Sequence, residues 1–555
     1  MPPSATTTAA VLVTALAANG ARVVFGIPGV HTLSLYDALA DEPSVRMVVN
    51  RHESGSTYAA TAYAKVTGRP AVVSMVPGPG ALNGASGVLV ALSDRVPMVV
   101  LAVDLDESDR RAEVHECDLE ACYAPLVKRQ FRITSTAEVA MVVGAAFAEA
   151  VAAPAGPVQV LIRGSVLKAP GAPQRAVAMV VALAGVAVGA PAAAIETVVE
   201  FLAARARPAL LVGGPLADRH AVVLALATRL GAPVFTDAMA RGVIAEDHPL
   251  AGGLLTWAAG QTILDRCDGL LSLGSRLSEI STLNWDVRLP DRVARVDADV
   301  DELQGNYPAS TAVHADPALL ADALVERVAP RAIAWYRRVA TLPVGELPAA
   351  RPHRMHPKQA VITLRDVVPR DAFVTTDGTA TEFWLSEPTF PVFRPNGFVI
   401  PEVQQTMGFA VPAAIGVATA CGEAGIDTPV VCISGDGSLQ MSLGELGPAM
   451  RLGHPIVLVV FDDGHYNALR IYQDGVYGRR IGVALDNPDL CALAASYGAS
   501  AVRVGDATAL RHAMQAALGQ TTGLSVVVID IDESFLPDRY ARRIDQLAAA
   551  KAERA

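Results

Sequence analysis

Short apolar runs alternate with helix-length stretches along most of the chain. The clearest run, 456–461, reads Ile-Val-Leu-Val-Val-Phe and stops at an acidic turn. Apolar runs of four to eight residues that alternate with longer amphipathic or small-residue segments predict buried parallel strands joined by crossover helices. The pattern recurs in three blocks. We therefore predict an α/β fold built from three doubly wound parallel-sheet domains.

The blocks define the predicted domain boundaries. We place domains at 1–168, 192–330 and 350–545, with a linker at 169–191. The linker contains the longest apolar run, 176–190, which two glycines interrupt. Fifteen or so apolar residues are too few to span a bilayer, so we expect no membrane segment there.

Acidic residues stand at the carboxyl ends of two predicted strands. One apolar run leads to Asp436 within Gly-Asp-Gly, and the run 456–461 leads to Asp462 and Asp463. Ligands bind at this edge of a parallel sheet, and a phosphate tolerates carboxylates there only with a hard cation between them. The layout predicts a metal-bridged diphosphate. A single Gly-Asp-Gly is a weak signal, because the same residues can cap a helix.

Composition argues against several classes of function. The net charge is −11 and the basic residues are scattered, which is not typical of a nucleic-acid-binding protein. The six cysteines form no CxxC pair, so the sequence predicts no zinc site. The N-terminus has no basic region before an apolar core, which favours a cytoplasmic protein.

The stretch around Asp436 resembles the diphosphate-binding motif of thiamine diphosphate (ThDP) enzymes. In that motif, Gly-Asp-Gly is followed some two dozen residues later by Asn-Asn. The resemblance implies that Mg²⁺ is held by Asp436, Asp463 and the backbone carbonyl of His465. Both Asn positions are Asp in this chain, so Asp463 adds a negative charge beside the diphosphate.

The N-terminal block resembles the pyrimidine-binding domain of the same superfamily through the segments 26–29, 51–53 and 77–80. The resemblance implies that Glu53 hydrogen-bonds N1′ of the aminopyrimidine and so promotes loss of the C2 proton of the thiazolium. By itself, a glutamate between a strand and a helix could be only a favourable charge in the first turn.

The resemblance assigns further residues to cofactor and substrate. Met407 is expected to hold the cofactor in a bent form, although a methionine there is otherwise ordinary core filler. The other cofactor-binding candidates are Gly26, Pro28, Asn83, Gly378, Thr379, Gly435, Gly437, Ser438 and Tyr466. The substrate candidates are Val30, His115, Leu469 and Tyr472.

Two branches of the superfamily share most features with this chain. The segment 26–32 and His115 resemble guanidino-oxopentanoate decarboxylases, whereas Lys128 and the segment 406–409 resemble acetolactate synthases. Tyr472 matches a Trp that acetolactate synthases use beside the substrate. His115 is also open to the reading of an ordinary surface histidine.

Benzoylformate decarboxylase is a third branch, matched by Tyr466 and the segment 468–470. It has a catalytic Ser and a catalytic His where this chain has Val30 and Val76. Its acid–base apparatus is therefore missing here.

The resemblance implies an enzyme that uses ThDP and Mg²⁺ to decarboxylate a 2-oxo acid. We favour transfer of the resulting enamine to a second carbonyl, as in acetolactate synthases, because His115 is the only candidate acid in the sequence. The alternatives are a simple decarboxylase that releases an aldehyde and, from another class, a catalytically lapsed ThDP-binding protein.

The resemblance also bears on FAD and on assembly. The middle block resembles the central domain of the family, which binds FAD in some members and is a spacer in others. We favour the spacer. Because the family holds one cofactor between domains of two subunits, the resemblance implies a homodimer or homotetramer in which Glu53 meets Asp436 of another copy.

Overall fold

The computed structural model describes residues 7–106, 114–171, 189–331, 334–338, 346–537, 540–541 and 543–548. The chain divides into two compact units. The first is Met1–Ala187 with Ile415–Ala420, and the second is Val188–Ala414 with Cys421–Ala555. Most of the predicted linker lies outside the described residues. The predicted domain limits stay a prediction.

The first unit contains one six-stranded sheet in the order β2-β1-β3-β4-β6-β5, with every neighbouring pair parallel. Its strands are β1 (Val23–Gly26), β2 (Arg46–Val49), β3 (Ala71–Met75), β4 (Met98–Asp104), β5 (Arg129–Ile133) and β6 (Pro157–Arg163). Its helices are α1 (Thr8–Ala18), α2 (Leu33–Ala40), α3 (Glu53–Thr67), α4 (Pro79–Ser93), α5 (Leu119–Tyr123), α6 (Val139–Val151) and α7 (Gly164–Lys168).

The second unit contains two more six-stranded parallel sheets. The central sheet has strands β7 (Pro208–Val212), β8 (Val234–Thr236), β9 (Ala251–Leu254), β10 (Gly269–Leu273), β11 (Val293–Asp297) and β12 (Thr311–His314), in the order β12-β11-β10-β7-β8-β9. Its helices are α8 (Ala192–Ala203), α9 (His220–Leu230), α10 (Ala258–Leu264) and α11 (Pro317–Arg327).

The last sheet has the order β14-β13-β15-β16-β18-β17. Its strands are β13 (Val374–Thr376), β14 (Phe398–Val399), β15 (Val430–Gly435), β16 (Ile456–Asp462), β17 (Ser500–Val504) and β18 (Leu524–Asp530). Its helices are α12 (Pro357–Val367), α13 (Ala380–Leu385), α14 (Ala410–Ala424), α15 (Asp436–Gln440), α16 (Leu446–Arg451), α17 (Asn467–Tyr472), α18 (Leu490–Ser496) and α19 (Ala507–Leu518). The predicted α/β fold with three doubly wound parallel sheets is confirmed.

Burial explains why the strands read as continuous apolar runs. Every residue of β3, β7 and β10 is buried, because helices cover both faces of a parallel sheet. Helix α3 shows how the helices are delimited. The His52 side chain accepts from the Ser54 N–H at its start, and Gly68 ends it with φ 67°. That left-handed cap suits glycine.

The first and last sheets have the same topology. In each, the strand order reverses beside the first strand, between β1 and β3 in one and between β13 and β15 in the other. Ligands of doubly wound sheets bind at such switch points, at the carboxyl ends of the strands. Most of the predicted cofactor residues follow these four strands.

A buried ion pair connects the central sheet to the last sheet. Arg241, after β8, is 1% exposed, and its Nε and one Nη donate to Glu246 at 2.8 and 2.9 Å. The same guanidinium donates to the carbonyls of Leu385 and Phe390, and Glu246 accepts the Val392 N–H. A buried charge pair is tolerated when its remaining hydrogen bonds are satisfied, as they are here.

Two local features of the last block concern the site region and the C-terminus. The segment from Gly435 to Arg451 is not one continuous helix, because α15 ends at Gln440 and α16 begins at Leu446. In the C-terminal segment, Tyr540 is buried and the side chain of Ile544 packs against Gly475. No helix in the described part of the chain is long and apolar enough to cross a membrane.

Candidate active site

The structure brings the predicted metal ligands of the second unit together. Asp436 is the first residue of α15 and is 2% exposed. Its Oδ2 accepts the Gly464 N–H at 2.9 Å, which places the carboxylate against the turn that follows β16. Asp463 lies in that turn and accepts the His465 N–H at 2.9 Å. The two carboxylates predicted to bind Mg²⁺ therefore face one edge of the sheet.

The His465 turn is fixed by backbone hydrogen bonds on both sides. The Tyr466 N–H donates to the Val483 carbonyl, and the Leu485 N–H donates to the Gly464 carbonyl. In the described residues, no group of three or more His, Cys, Asp or Glu side chains is placed to hold a metal ion. The predicted set has two side chains and one backbone carbonyl, so it depends on this fixed turn.

Asp462 has a different environment from Asp463. Its carboxylate is paired with Arg503 at 2.8 Å and accepts from the Asn487 amide at 2.8 Å. Arg503 also pairs with Asp530. Of the two aspartates that replace Asn-Asn, Asp462 shares one guanidinium with Asp530, and its charge still acts on Asp436. The extra charge that the sequence predicts beside the diphosphate is that of Asp463.

Burial sets the protonation of the pair. It raises the pKa of Asp436 to about 6, a shift that the hydrogen bond from Asn487 opposes and the charge of Asp462 increases. Burial and the charge of Asp436 raise the pKa of Asp463 well above its usual range. Two such carboxylates are poorly stabilised as anions without a cation. This electrostatic environment favours a divalent metal ion.

The raised pKa of Asp436 predicts how the metal-free protein responds to pH. A raised native pKa contributes stability that is present below the unfolded pKa and is lost as pH rises through about 6. Without Mg²⁺ and ThDP, we expect Asp436→Asn to be more stable than wild type at pH 7.5 by up to roughly 3 kcal/mol. The difference should shrink as pH falls below 6 and disappear only below the unfolded pKa of Asp, at roughly pH 3. Denaturant titrations of both proteins across this range measure it, and parallel pH profiles would contradict it.

The turn after β13 offers a second set of polar groups at the same edge. Thr379 has a buried Oγ1 with no hydrogen-bond partner among the described residues. A Cβ on Gly378 would lie 2.3 Å from the Gln405 Cα, so only glycine fits between the two loops. Asp377 is fully buried and accepts the Phe409 and Ala410 N–H groups at 2.7 and 2.8 Å. An unpaired buried hydroxyl here is available to a diphosphate oxygen.

The predicted residues Gly437 and Ser438 line the same edge. A Cβ on Gly437 would lie 2.7 Å from the ring of Tyr466, so the predicted Tyr466 packs directly on this glycine. The Ser438 hydroxyl accepts the Gly408 N–H at 2.8 Å. This bond holds the loop that carries Met407 against the start of α15. Met407 is partly buried in that loop.

The predicted substrate residues of this unit lie on and after α17. Leu469 is 55% exposed. Tyr472 is partly buried, and its ring lies edge-on to Tyr540 with centroids 5.4 Å apart. Tyr540 in turn contacts the ring of Phe383. Tyr472 therefore belongs to an aromatic cluster that includes the C-terminal segment.

The first unit contains the predicted pyrimidine site at the β1–β3 switch point. Glu53 opens α3, and its Oε2 accepts from the Asn83 amide at 3.0 Å. A Cβ on Gly80 would lie 3.1 Å from Glu53 Oε1 and 2.4 Å from the Val76 side chain. The two predicted polar residues, Glu53 and Asn83, are thus hydrogen-bonded across the 77–80 turn.

The turn after β1 approaches the same place. A Cβ on Gly26 would lie 2.5 Å from the Ser74 carbonyl oxygen, and one on Gly29 would lie 2.5 Å from Val76. Glycine is required at both positions by close approach. The neighbouring Pro28 and Val30 are exposed, Val30 by 74%.

His115 lies beside the 77–80 turn and has an unusual environment. Its backbone has φ 71°, and a Cβ on Gly78 would lie 2.9 Å from its carbonyl oxygen. Its Nδ1 is buried and has no hydrogen-bond partner among the described residues. The ring of His31 lies 5.3 Å from the ring of His115, measured between centroids. The prediction that His115 lies near the substrate and acts as an acid stays a prediction.

Lys128 serves the fold rather than the site. Its Nζ donates to the carbonyls of Glu149 and Ala152 at 2.7 Å, at the carboxyl end of α6. Burial lowers the pKa of this lysine, and the nearby Glu149 carboxylate opposes that effect. The ammonium group satisfies helix-end carbonyls, so the sequence similarity to acetolactate synthases at this position has a structural explanation.

Three residues of the site were missed by sequence reasoning. Asn487 donates to both Asp436 and Asp462, Arg503 pairs with Asp462, and His31 contacts His115. Each is more than 20 residues from its partner along the chain. His31 follows Val30, a predicted substrate residue, in the segment 26–32 that resembles guanidino-oxopentanoate decarboxylases. That resemblance was the one feature of the sequence that could have pointed to His31.

Comparison with known protein families agrees with this architecture. Residues 6–122 match the "Thiamine pyrophosphate enzyme, N-terminal TPP binding domain", residues 195–324 match the central domain of that family, and residues 377–530 match its C-terminal TPP binding domain. The three matches follow one another in the order of the three sheets.

Individual relatives belong to two kinds of enzyme. An acetolactate synthase large subunit from Parasynechococcus marenigrum is 32% identical over 94% of this chain and 87% of its own length. A Pseudomonas aeruginosa protein named "Probable 2-ketoarginine decarboxylase AruI" is 30% identical over 94% of each chain. The structure of a ThDP-dependent 4-hydroxybenzoylformate decarboxylase from Rhodococcus jostii matches with a TM-score of 0.81 and 25% identity, covering 95% of this chain and 100% of that chain.

Proposed function

Because this chain belongs to the thiamine pyrophosphate enzymes, in the group of acetolactate synthases and 2-oxo acid decarboxylases, we propose that it decarboxylates a 2-oxo acid and releases an aldehyde. It is an enzyme that uses ThDP and acts on 2-oxo acids. The observation that carries the finer proposal is His115, whose Nδ1 is buried without a hydrogen-bond partner in the described part of the chain and which lies beside the turn that contacts Glu53.

The residues of the last sheet fit a metal-bound diphosphate. Asp436 and Asp463 supply buried carboxylates of raised pKa, and the Thr379 Oγ1 is a buried hydroxyl without a partner among the described residues. Gly378 and Gly437 leave room where any side chain would clash. We propose that Asp436, Asp463 and the His465 carbonyl hold Mg²⁺, and that Thr379 and the backbone around Gly437 bind the diphosphate.

The residues of the first unit fit the aminopyrimidine. Bound ThDP would supply an electron sink for the electron pair of the C–C bond that breaks when the carboxylate leaves as CO₂. Glu53 is positioned by Asn83 to share a proton with a ring nitrogen. Gly29 and Gly80 both pack against the Val76 side chain. Gly80, in the 77–80 turn, also lies against the Glu53 carboxylate and helps to hold it in place. We propose Met407 as the apolar support of the bent cofactor.

His115 supports aldehyde release as the outcome. After CO₂ leaves, the remaining fragment either takes a proton or attacks a second carbonyl. The sequence showed one candidate acid with no evident support, whereas the structure places His31 against it. An imidazole that is held in place can deliver a proton to the fragment, which favours the aldehyde.

Carboligation remains a second candidate. The expectation of an acetolactate synthase-like enzyme is supported by the 32% identical relative. Within the structure, Lys128 gives it no support, because that ammonium group is engaged at the end of α6. We propose that Tyr472 and Leu469, together with Val30, contact the substrate and bear on which acceptor can enter.

We propose that the central domain is a spacer and not an FAD site. The buried carboxylate of Glu402 accepts from the Met239 N–H at 3.2 Å and from the Ser278 hydroxyl at 3.3 Å, in the loops after β8 and β10. Dinucleotides bind at this edge of such a sheet. A carboxylate that already occupies these donors does not fit a pyrophosphate.

We also propose that the active enzyme is at least a homodimer. The pyrimidine and diphosphate residues lie in different compact units, and the family holds its cofactor between two subunits. Light scattering with and without ThDP and Mg²⁺ tests the assembly. We expect dimers or tetramers in the loaded protein.

A panel of 2-oxo acids tests the proposed reaction. With ThDP and Mg²⁺, we expect CO₂ release and aldehyde as the main product from at least one of pyruvate, benzoylformate and 5-guanidino-2-oxopentanoate. Replacing His115 by Ala should lower the aldehyde fraction more than it lowers total CO₂ release, because proton delivery follows CO₂ loss. Mass spectrometry of the products measures both.

The control and the contrary result are well separated. His512→Ala, at an exposed histidine of α19, should leave the product ratio unchanged. A hydroxyketone or acetohydroxy acid as the dominant product, even at low acceptor concentration, would place the enzyme with the carboligases.

A further inference from the structure

His115 combines two unfavourable local features. Its backbone is in the left-handed region at φ 71°, which a residue with a Cβ seldom adopts. Its Nδ1 is buried and has no hydrogen-bond partner among the described residues, which is rare for a polar atom. Strain and unpaired polar atoms of this kind persist where the surrounding structure imposes them, and they are found most often at functional sites.

Two contacts impose this conformation. Gly78 packs against the backbone of His115, since a Cβ there would lie 2.9 Å from the His115 carbonyl oxygen. The ring of His31 lies against the ring of His115, with centroids 5.3 Å apart and planes at 53°. The backbone is thus held by the 77–80 turn, and the imidazole is held by His31.

His31 is itself on a rigid support. It lies in the single 3₁₀ turn Val30–Thr32 that follows β1. Thr32 is fully buried, and its hydroxyl bonds the backbone of Gly29 at 3.1 Å in both directions. Gly29 in turn packs against Val76 at the end of β3. His31 is therefore anchored to the same switch point as the turn that contacts Glu53.

Resting on the proposed function, we propose that His31 is a positioning residue that fixes the His115 imidazole by ring contact, and that it thereby sets how much of the decarboxylated fragment is protonated to aldehyde. The ring of His31 restricts rotation of the His115 side chain. Proton transfer requires a donor held at a fixed place, and small displacements cost large factors in rate. CO₂ release precedes this step and depends on other residues.

The proposal gives a specific pattern across variants. His31→Ala should lower the ratio of aldehyde to CO₂ on the order of tenfold, with CO₂ release within about threefold of wild type, because the fragment that is not protonated adds to the carbonyl of a second 2-oxo acid molecule and leaves as a ligation product. His31→Phe keeps an aromatic ring and should recover most of the ratio. In the His115→Ala background, His31→Ala should have no further effect, because a residue that acts through another is not additive with it.

The experiment measures CO₂, aldehyde and ligation product for wild type, the three single variants and the double variant, each loaded with ThDP and Mg²⁺ and supplied with excess 2-oxo acid as acceptor, so that aldehyde and ligation product together account for the CO₂. Thermal unfolding checks that each variant folds, and His31→Gln replaces the alanine variant if that one does not. Recovery by Phe together with non-additivity supports the proposal. A merely structural effect on the fold would lower CO₂ release and aldehyde together.

Three results would overturn it. These are a wild-type ratio in His31→Ala, additive effects of the two alanine substitutions, and a phenylalanine variant no better than alanine. Normal CO₂ release with an unchanged ratio removes the role of His31 and leaves the proposed function standing. If wild type releases no CO₂ from any 2-oxo acid of the panel, the proposed function fails and the inference falls with it.

Discussion

Replacing Glu53 by Gln is expected to slow exchange of the C2 proton of bound ThDP by roughly 10²–10⁴-fold. ThDP affinity should stay within about threefold of wild type, because the diphosphate is bound by other residues. Gln has nearly the same shape as Glu and still accepts the hydrogen bond from Asn83. It cannot give and take a proton as a carboxyl group does. Loss of the acid–base group alone then explains the slower rate.

Proton exchange measured by NMR in deuterated buffer checks this prediction, with calorimetry for affinity. Glu42→Gln is a matched control, since the Glu42 carboxylate bonds only the local backbone and hydroxyl of Ser44 in the described contacts. Exchange at the wild-type rate in Glu53→Gln would remove Glu53 from its proposed role. A large loss of affinity would instead assign it to anchoring.

Asp436→Ala should abolish ThDP binding, the largest effect on affinity that we expect. The substitution removes a proposed Mg²⁺ ligand and leaves the Asn487 amide and the Gly464 N–H without their shared acceptor. The diphosphate then lacks its cation bridge. Calorimetric titration with ThDP at saturating Mg²⁺ measures the loss, and Asp486→Ala, at an exposed aspartate of the same region, is the control.

Asp463→Asn should be tolerated or should tighten ThDP binding. Asn still offers an oxygen to a metal ion. The substitution also removes the negative charge of the Asp463 carboxylate, a group whose pKa is raised by burial and by the charge of Asp436. If this variant fails as badly as Asp436→Ala, a negative charge is required at position 463. The site would then differ from the Asn-containing motif in its metal chemistry as well as in its sequence.

The fold and the acidic edge could be predicted because their signals are local. Buried strands such as β16 are continuous apolar runs, and a parallel sheet collects their carboxyl ends at one edge. Asp436 and Asp463 therefore follow from strand endings. The end of α3 at Gly68 was predictable for the same reason, because a left-handed cap selects glycine.

What the sequence did not show depends on contacts between distant segments. The sequence assigned Asp462 no role apart from Asp463, and only the fold brings to it Arg503, which it shares with Asp530. His115 looked like an isolated acid, and only the fold brings His31 to it. Lys128 was misleading in the sequence, because it matches a lysine of acetolactate synthases. In the fold, its ammonium group donates to backbone carbonyls at the end of α6.

The buried pair of Arg241 and Glu246 has a consequence for how this architecture can diverge. Both side chains of this ion pair come from the central block. The last block contributes only backbone groups to the hydrogen bonds of the pair, from Leu385, Phe390 and Val392. Backbone groups are the same for every residue except proline, which has no N–H to donate from position 392. Substitutions of the side chains along 385–392 can therefore leave these bonds intact. Loss of either Arg241 or Glu246 would instead leave the other charge buried without its ion-pair partner. Because only the central block must keep specific side chains for this contact, the last block can accumulate side-chain substitutions while its attachment to the central block stays intact.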